Sequence, residues 1–354
     1  MPNQFPWDSY SDQPHILKRT LKKELRKGHG LDYFKLIITN LFYFPYLFLK
    51  FYFKSKIHKR LIQTPEFYGL CVNLDKGESQ YNLVEELGVK SLQIRVFLHD
   101  IENVDAYVKF VKGFGEDKEI LITIIQDREH IENHELLAKD IRTIFEKFDG
   151  IADEFMIGNA INRIKWAFVS MEEYLKFYQT VQRIRDKEFK DIKLIGSSVI
   201  DFEYHFTIRT LFNNYKIKYD KVASLLYVDR RGSPYATQMG IFDFNNKIEF
   251  LDTIVRGSSQ CNNSIYITES NWPLSGTVPY APTSEKECVT EELYNQYMLE
   301  YFDIALKSQK IEKVYWHQLM AGGYGLVDDR DGQLRKTEAF YSFKKVITAC
   351  LLST

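Results

Sequence analysis

The sequence predicts a (β/α)8 barrel preceded by a helical, basic and aromatic extension, and three observations carry that prediction. From Glu66 onward, eight short apolar runs alternate with longer amphipathic ones. Several of the short runs are apolar throughout, as in parallel strands covered on both faces. The open doubly wound sheet, the rival arrangement, would want a glycine-rich phosphate turn after an early strand. "VNLDKGES" does not supply G-x-G-x-x-G, and no Walker motif occurs.

The predicted strands are 67–74, 91–97, 119–126, 154–159, 192–198, 222–228, 264–270 and 313–319. Between them, "ENVDAYVKFVKGF" and "HELLAKDIRTIFEKF" space apolar residues three and four apart, the period of a helix with one buried face. "SMEEYLKFYQTVQRIRDKEF" opens with Ser170 and places Glu173 three residues on, a capping box. "KTEAFYSFKKVITACLL" closes the chain as a final helix. Eight strands with helical crossovers close naturally into a barrel, whose functional residues sit at the C-terminal strand ends.

A chain of 354 residues can bury one large barrel core. With 45% hydrophobic and 27% charged residues it is globular in character, and a net charge of −1 gives no nucleic-acid signal. Cys71, Cys261, Cys288 and Cys350 are scattered, with no zinc spacing. No cofactor motif is legible. The strand-one end, "CVNLDKGES", lacks the H-x-H pair of a metal-dependent barrel hydrolase. Reduced cysteines suit a cytoplasmic setting, and "MPNQFPWDSYSDQPH" does not read as a secretory signal peptide.

Residues 1–62 differ from 63–354. Lys18, Arg19, Lys22, Lys23, Arg26 and Lys27 precede an uncharged run from Leu36 to Leu49, and Lys54, Lys56, Lys59 and Arg60 follow it. The run is shorter than the ~20 residues of a spanning helix, and Asn40 and Pro45 interrupt it. Basic clusters around an aromatic, apolar stretch suit a segment lying in an anionic leaflet at the cytoplasmic side of a membrane, peripherally. A helical hairpin packed on the barrel with a solvated basic face is one alternative, and a true membrane span is the other.

The expected strand ends carry Arg95 on the second strand, Asn159 and Ala160 at the end of the fourth, Tyr227 near the end of the sixth, Glu269 at the end of the seventh and Trp316 on the eighth. In residue type and strand order this set resembles the retaining glycoside hydrolases of clan A, over roughly residues 65 to 352. "GLVDDRDG" before the last helix is similar to that family's closing segment. The resemblance implies Glu269 as nucleophile. It also implies Arg95 and Tyr227 as its supports, Asn159 as a ligand for the sugar 2-hydroxyl, and Trp316 as a floor for a sugar ring. Each residue also has a plainer reading: an Arg95–Glu269 ion pair in the barrel mouth, an Asn159 bonded only to backbone, and Tyr227 and Trp316 as core. His317 is expected to point away from Trp316, because strand side chains alternate, and is given no catalytic role.

The resemblance breaks at one letter. After "MIGN" the family carries the general acid/base glutamate, and this chain has Ala160. A retaining mechanism needs two carboxyl groups about 5–5.5 Å apart. Three readings of Ala160 stay open: an engineered variant, a natural glycan-binding pseudoenzyme, or an enzyme whose proton comes from another group. Asp127, Asp201, Glu203 and Asp229 are the nearby carboxylates. The expected partner is a glycan or glycolipid, bound or cleaved in polysaccharide or lipopolysaccharide biosynthesis, at a membrane surface and without nucleic acid. The alternative is a catalytically inactive binding or scaffold protein.

Overall fold

The computed structural model describes residues 5–54, 65–229, 232–330 and 332–352. Eight strands form a closed, all-parallel barrel: β3 (Tyr68–Val72), β4 (Ser91–Phe97), β5 (Glu119–Ile125), β6 (Glu154–Ile157), β7 (Lys193–Ile200), β8 (Lys221–Leu225), β9 (Ile265–Ile267) and β10 (Lys313–Trp316). β10 closes on β3, with Tyr315 opposite Gly69. The register is continuous except for a bulge in β7 between Gly196 and Val199. The observed strands match the predicted ones in order, but the seventh and eighth are short, so Glu269 and His317 lie just past strand ends.

Alternation sorts the strand side chains. One set fills the barrel interior as a layer of Cys71, Leu121, Met156, Ile195, Ala223, Tyr266 and Tyr315. Gly69 makes room for that layer, since a Cβ there would stand 2.5 Å from the Tyr315 ring. The other set faces the surrounding helices. α3 (Ser79–Leu87), α4 (Val104–Lys112), α6 (His134–Lys147), α7 (Met171–Glu188), α8 (Tyr204–Leu211), α9 (Phe244–Gly257), α10 (Glu291–Ser308) and α11 (Glu338–Leu351) cover them. Ser170 caps α7 as its sequence predicts, accepting from the Glu173 N–H.

The front segment packs on the barrel in two places. Its first residues form a short hairpin, β1 (Trp7–Asp8) with β2 (Gln13–Pro14), over the mouth. After α1 (Arg19–Leu25), α2 runs unbroken from Gly30 to Tyr52. Asn40 and Pro45 do not end it. The Asn40 amide donates one turn back to the Leu36 carbonyl and across to that of His205, at the start of α8. Leu47 is fully buried, and Phe44, Phe48 and Phe51 pack on Phe242 and Phe250. Lys54 pairs with Asp252, and Tyr33 donates to the Val169 carbonyl. Away from those contacts Leu31, Phe34, Ile37, Leu41 and Phe42 are exposed. α2 is long and apolar enough to cross a membrane by length and composition alone. The 62/63 boundary, with Lys56, Lys59 and Arg60, lies outside the described residues.

Candidate active site

Glu269 stands at the C-terminal mouth of the barrel, held at both oxygens. Arg95 donates to Oε2 at 2.9 Å, and the Tyr227 hydroxyl donates to Oε1 at 2.6 Å. Arg95 lies on β4 and Tyr227 two residues past the end of β8, both in phase with the inward-facing residues of those strands. The Arg95 guanidinium is buried under the Trp166 ring, 5.8 Å from its centre. A guanidinium keeps its charge at any working pH, so Glu269 has a permanent cation at one of its oxygens.

Arg95 also serves a second carboxyl. Its other terminal nitrogen donates to Asp12 Oδ2 at 3.0 Å, and Asn73 donates to the same oxygen at 3.2 Å. Asp12 lies between the two hairpin strands with φ of 51°, a left-handed conformation that Asp tolerates better than most residues. Burial raises its pKa to about 6. Asp75 and Glu269 push the same way, and Arg95 and Lys76 push against. The hairpin is tied down around it. Trp7 meets Trp166 and Phe97 edge-on, Gln13 accepts from Lys165 and donates to the Pro282 carbonyl, and Tyr324 donates to the Ser11 carbonyl.

Asn159 follows β6 with its backbone fixed and its amide unspent. The Gln126 side chain accepts from its N–H and donates to its carbonyl, both at 2.9 Å. Its buried Nδ2 has no hydrogen-bond partner among the described residues. Ala160 is fully buried, with φ of 46°. It sits in an apolar cluster with Ile125, Trp166, Leu225 and Tyr227, against which Trp7 of the hairpin packs.

Two expectations about β10 are corrected. Trp316 is not a sugar floor. Tyr315 belongs to the barrel interior, so Trp316 faces the helices, where its ring stacks on Trp272, lies beside Phe302 and donates to the Tyr294 hydroxyl. His317 therefore turns to the mouth. It lies 3.4 Å from Arg95 and stacks on Tyr324. Burial, reinforced by Arg95, lowers its pKa to about 3. It is neutral, accepts from Arg95 at Nε2, and leaves a buried Nδ1 without a partner among the described residues.

Three of the four nearby carboxylates named from the sequence are engaged elsewhere. Asp201 and Glu203 pair with Arg163, and Asp127 caps α5 (Arg128–Glu132) and bonds His130. The residues the sequence reading missed are Asp12, Asn73, Lys165 and His317. Burial lowers the Lys165 pKa to about 8, with Glu269 opposing. Among the described residues no cluster of three or more metal-ligating side chains occurs.

No family model matches the chain, and no curated protein matches it in sequence. Solved structures do match. A β-glucosidase from Thermotoga maritima, in complex with glucoimidazole, aligns at 13% identity and TM-score 0.59, over 84% of this chain and all of that one. The virulence factor SghA from Agrobacterium tumefaciens aligns at 10% identity and TM-score 0.58, over 80% and 97%. A GH39 β-xylosidase from Caulobacter crescentus aligns at 12% identity and TM-score 0.57, over 82% and 73%. The chain shares the closed (β/α)8 barrel fold of these structures.

Proposed function

We propose that the protein is a glycosidase-like barrel that acts on a glycan or glycolipid at an anionic membrane surface, with Glu269 as the nucleophile of a retaining mechanism. The observation that carries this reading is Glu269 itself. It is a carboxylate at the C-terminal mouth, paired with Arg95 on one oxygen and oriented by the Tyr227 hydroxyl on the other. That arrangement prepares an anion to attack an anomeric carbon. The buried unpartnered amide of Asn159 and the Nδ1 of His317 support the same reading. Each is a polar group that costs free energy until a ligand such as a sugar hydroxyl meets it.

The membrane part rests on α2. It exposes Leu31, Phe34, Ile37, Leu41 and Phe42, and basic residues of α1 precede it. Such a surface gains by entering an anionic interface. The second reading, a glycan-binding or scaffold protein without turnover, is favoured by Ala160 in an apolar cluster where the acid would stand.

A fluorosugar experiment separates the two. A 2-deoxy-2-fluoro β-glycoside with a dinitrophenolate leaving group needs no acid to react, so an active nucleophile accumulates as a glycosyl ester. A mass increase mapped to Glu269, and abolished in Glu269→Gln, is expected. Sugar binding without any ester would favour the binding protein.

A further inference from the structure

We propose that Asp12, brought to the mouth by the β1–β2 hairpin, is the catalytic acid/base that works with Glu269 in place of a glutamate at 160. This rests on the glycosidase reading above. Three features of the geometry lead to it.

First, Asp12 and Glu269 share one guanidinium, with hydrogen bonds of 3.0 and 2.9 Å to its two terminal nitrogens. That bridge brings two carboxyls from different elements to one cation at the barrel mouth, and a retaining mechanism needs such a pair. Second, the two donors on Asp12 both go to Oδ2. Among the described residues no donor reaches Oδ1, and 13% of the side chain stays open, against 11% for Glu269. One oxygen is anchored and the other is available to hold a proton. Third, the hairpin docks on the loop that begins at Ala160. Trp7 packs on the Ala160 cluster and on Trp166, and Gln13 bonds Lys165.

The charged groups facing Asp12 are Arg95 on β4, Lys76 and Asp75 in the turn after β3, and Glu269 after β9. With burial, they leave Asp12 titrating at about 6, where a group can both give and take a proton near neutrality. In the first half-reaction the Glu269 carboxylate forms a bond to the anomeric carbon. The bond from that carbon to the leaving oxygen breaks, and the Asp12 proton passes to that oxygen. The Asp12 carboxylate left behind is held by Arg95 and Asn73. In the second half, water bonds to the anomeric carbon while its proton returns to Asp12. The ester breaks, and Glu269 is again a carboxylate.

The test compares full-length wild type with Asp12→Ala and Asp12→Asn; the Asn variant preserves side-chain shape and the hairpin ties through Trp7 and Gln13. Labelling by the fluorosugar probe at Glu269 is required of all three. Asp12→Ala should then lose 10²–10⁴-fold in kcat/KM on an aryl glycoside with a poor phenol leaving group, and less than tenfold on the dinitrophenyl glycoside. Azide, an anionic nucleophile that needs no base, should restore turnover of the dinitrophenyl glycoside by Asp12→Ala and give a glycosyl azide. A purely structural Asp12 would show neither the leaving-group split nor the azide product. Equal losses on both glycosides without azide product would overturn the assignment. So would azide rescue of Lys165→Ala instead, or faster turnover of both substrates in Asp12→Ala, which would make the hairpin a plug. If no glycoside labels Glu269, the glycosidase reading falls and takes this role with it.

Discussion

Replacing Asp12 with Asn should make the protein more resistant to unfolding as the pH rises, relative to wild type. The folded carboxyl titrates at about 6, against an ordinary value of 3.8. Between those values the folded state holds a proton that the unfolded chain has already released, so stability falls as pH increases. The contribution of the protonated form is complete below about pH 4 and lost as pH passes through the folded value. At 1.36 kcal/mol per unit, the displacement corresponds to roughly 3 kcal/mol, of which about 2 kcal/mol falls between pH 4.5 and 7.5. Asn cannot ionise, so the variant lacks this loss. Urea unfolding at pH 4.5, 6 and 7.5, at one ionic strength, reads the difference directly. The gap in unfolding free energy, variant minus wild type, should grow by about 2 kcal/mol across that range. A gap that stays constant, or shrinks with pH, would mean that Asp12 is an ordinary ionised partner of Arg95, and the burial argument would be wrong. A carboxyl retained where it costs stability at neutral pH is best explained by a task other than folding.

Other perturbations test other parts of the structure. Arg95→Leu leaves Asp12 and Glu269 buried side by side without their shared cation; a loss of about 3–5 kcal/mol is expected in chemical denaturation, and a loss under 1 kcal/mol would show that the pair relaxes to solvent. Trp316→Ala should cost about 3–5 kcal/mol as a core truncation without changing the affinity of any sugar that binds; weaker sugar binding at unchanged stability would restore the tryptophan to the site. Leu41→Ser with Phe42→Ser, on the exposed face of α2, should lower sedimentation with phosphatidylserine vesicles and leave the unfolding midpoint unchanged. Added salt should weaken the wild-type interaction, and unchanged sedimentation of the variant would remove the membrane reading. In the Asp12→Asn background, Ala160→Glu should recover little activity on the poor leaving group, because the cluster closed by Trp7 would hold the new carboxyl beneath the indole; recovery of a large part would show that the hairpin yields and that position 160 can still supply the acid.

The barrel was legible because its signal is repeated eight times: apolar runs of strand length, separated by amphipathic runs of helical length, leave few arrangements. Arg95 and Tyr227 reach Glu269 as the residue types and strand order suggest. The error on β10 is instructive because the information was present. Tyr315 and Trp316 are both large and apolar enough for either face, and the resemblance favoured the tryptophan as the inward residue. The phase of the strand decides, and it is set by Tyr315 filling the space above Gly69. His317 then faces inward by the same alternation that had been used to exclude it. The hairpin could not be read at all. Two-residue strands carry no periodicity, and Asp12 belongs to a segment whose composition speaks of lysines and aromatics. Its contact with Arg95 spans 83 positions in sequence, and nothing local announces it.

Ala160 and the hairpin are best understood together. A glutamate at 160 would project from a left-handed backbone position into the cluster of Ile125, Trp166, Leu225 and Tyr227. In this chain that cluster is closed by Trp7, which meets the Trp166 ring at 5.7 Å. A methyl group leaves the indole room to pack, and a carboxylate would have to be desolvated beneath it, a cost of several kcal/mol for an unpaired charge. The small residue at 160 and the aromatic residue at 7 are therefore complementary in shape and polarity. The same packing brings Asp12, five residues on, to the far nitrogen of Arg95. The apolar contact sets where the hairpin lies, and the ionic contact sets what it delivers. On this account the missing letter after Asn159 marks where the hairpin docks, and the second carboxyl of the site arrives from the opposite end of the sequence.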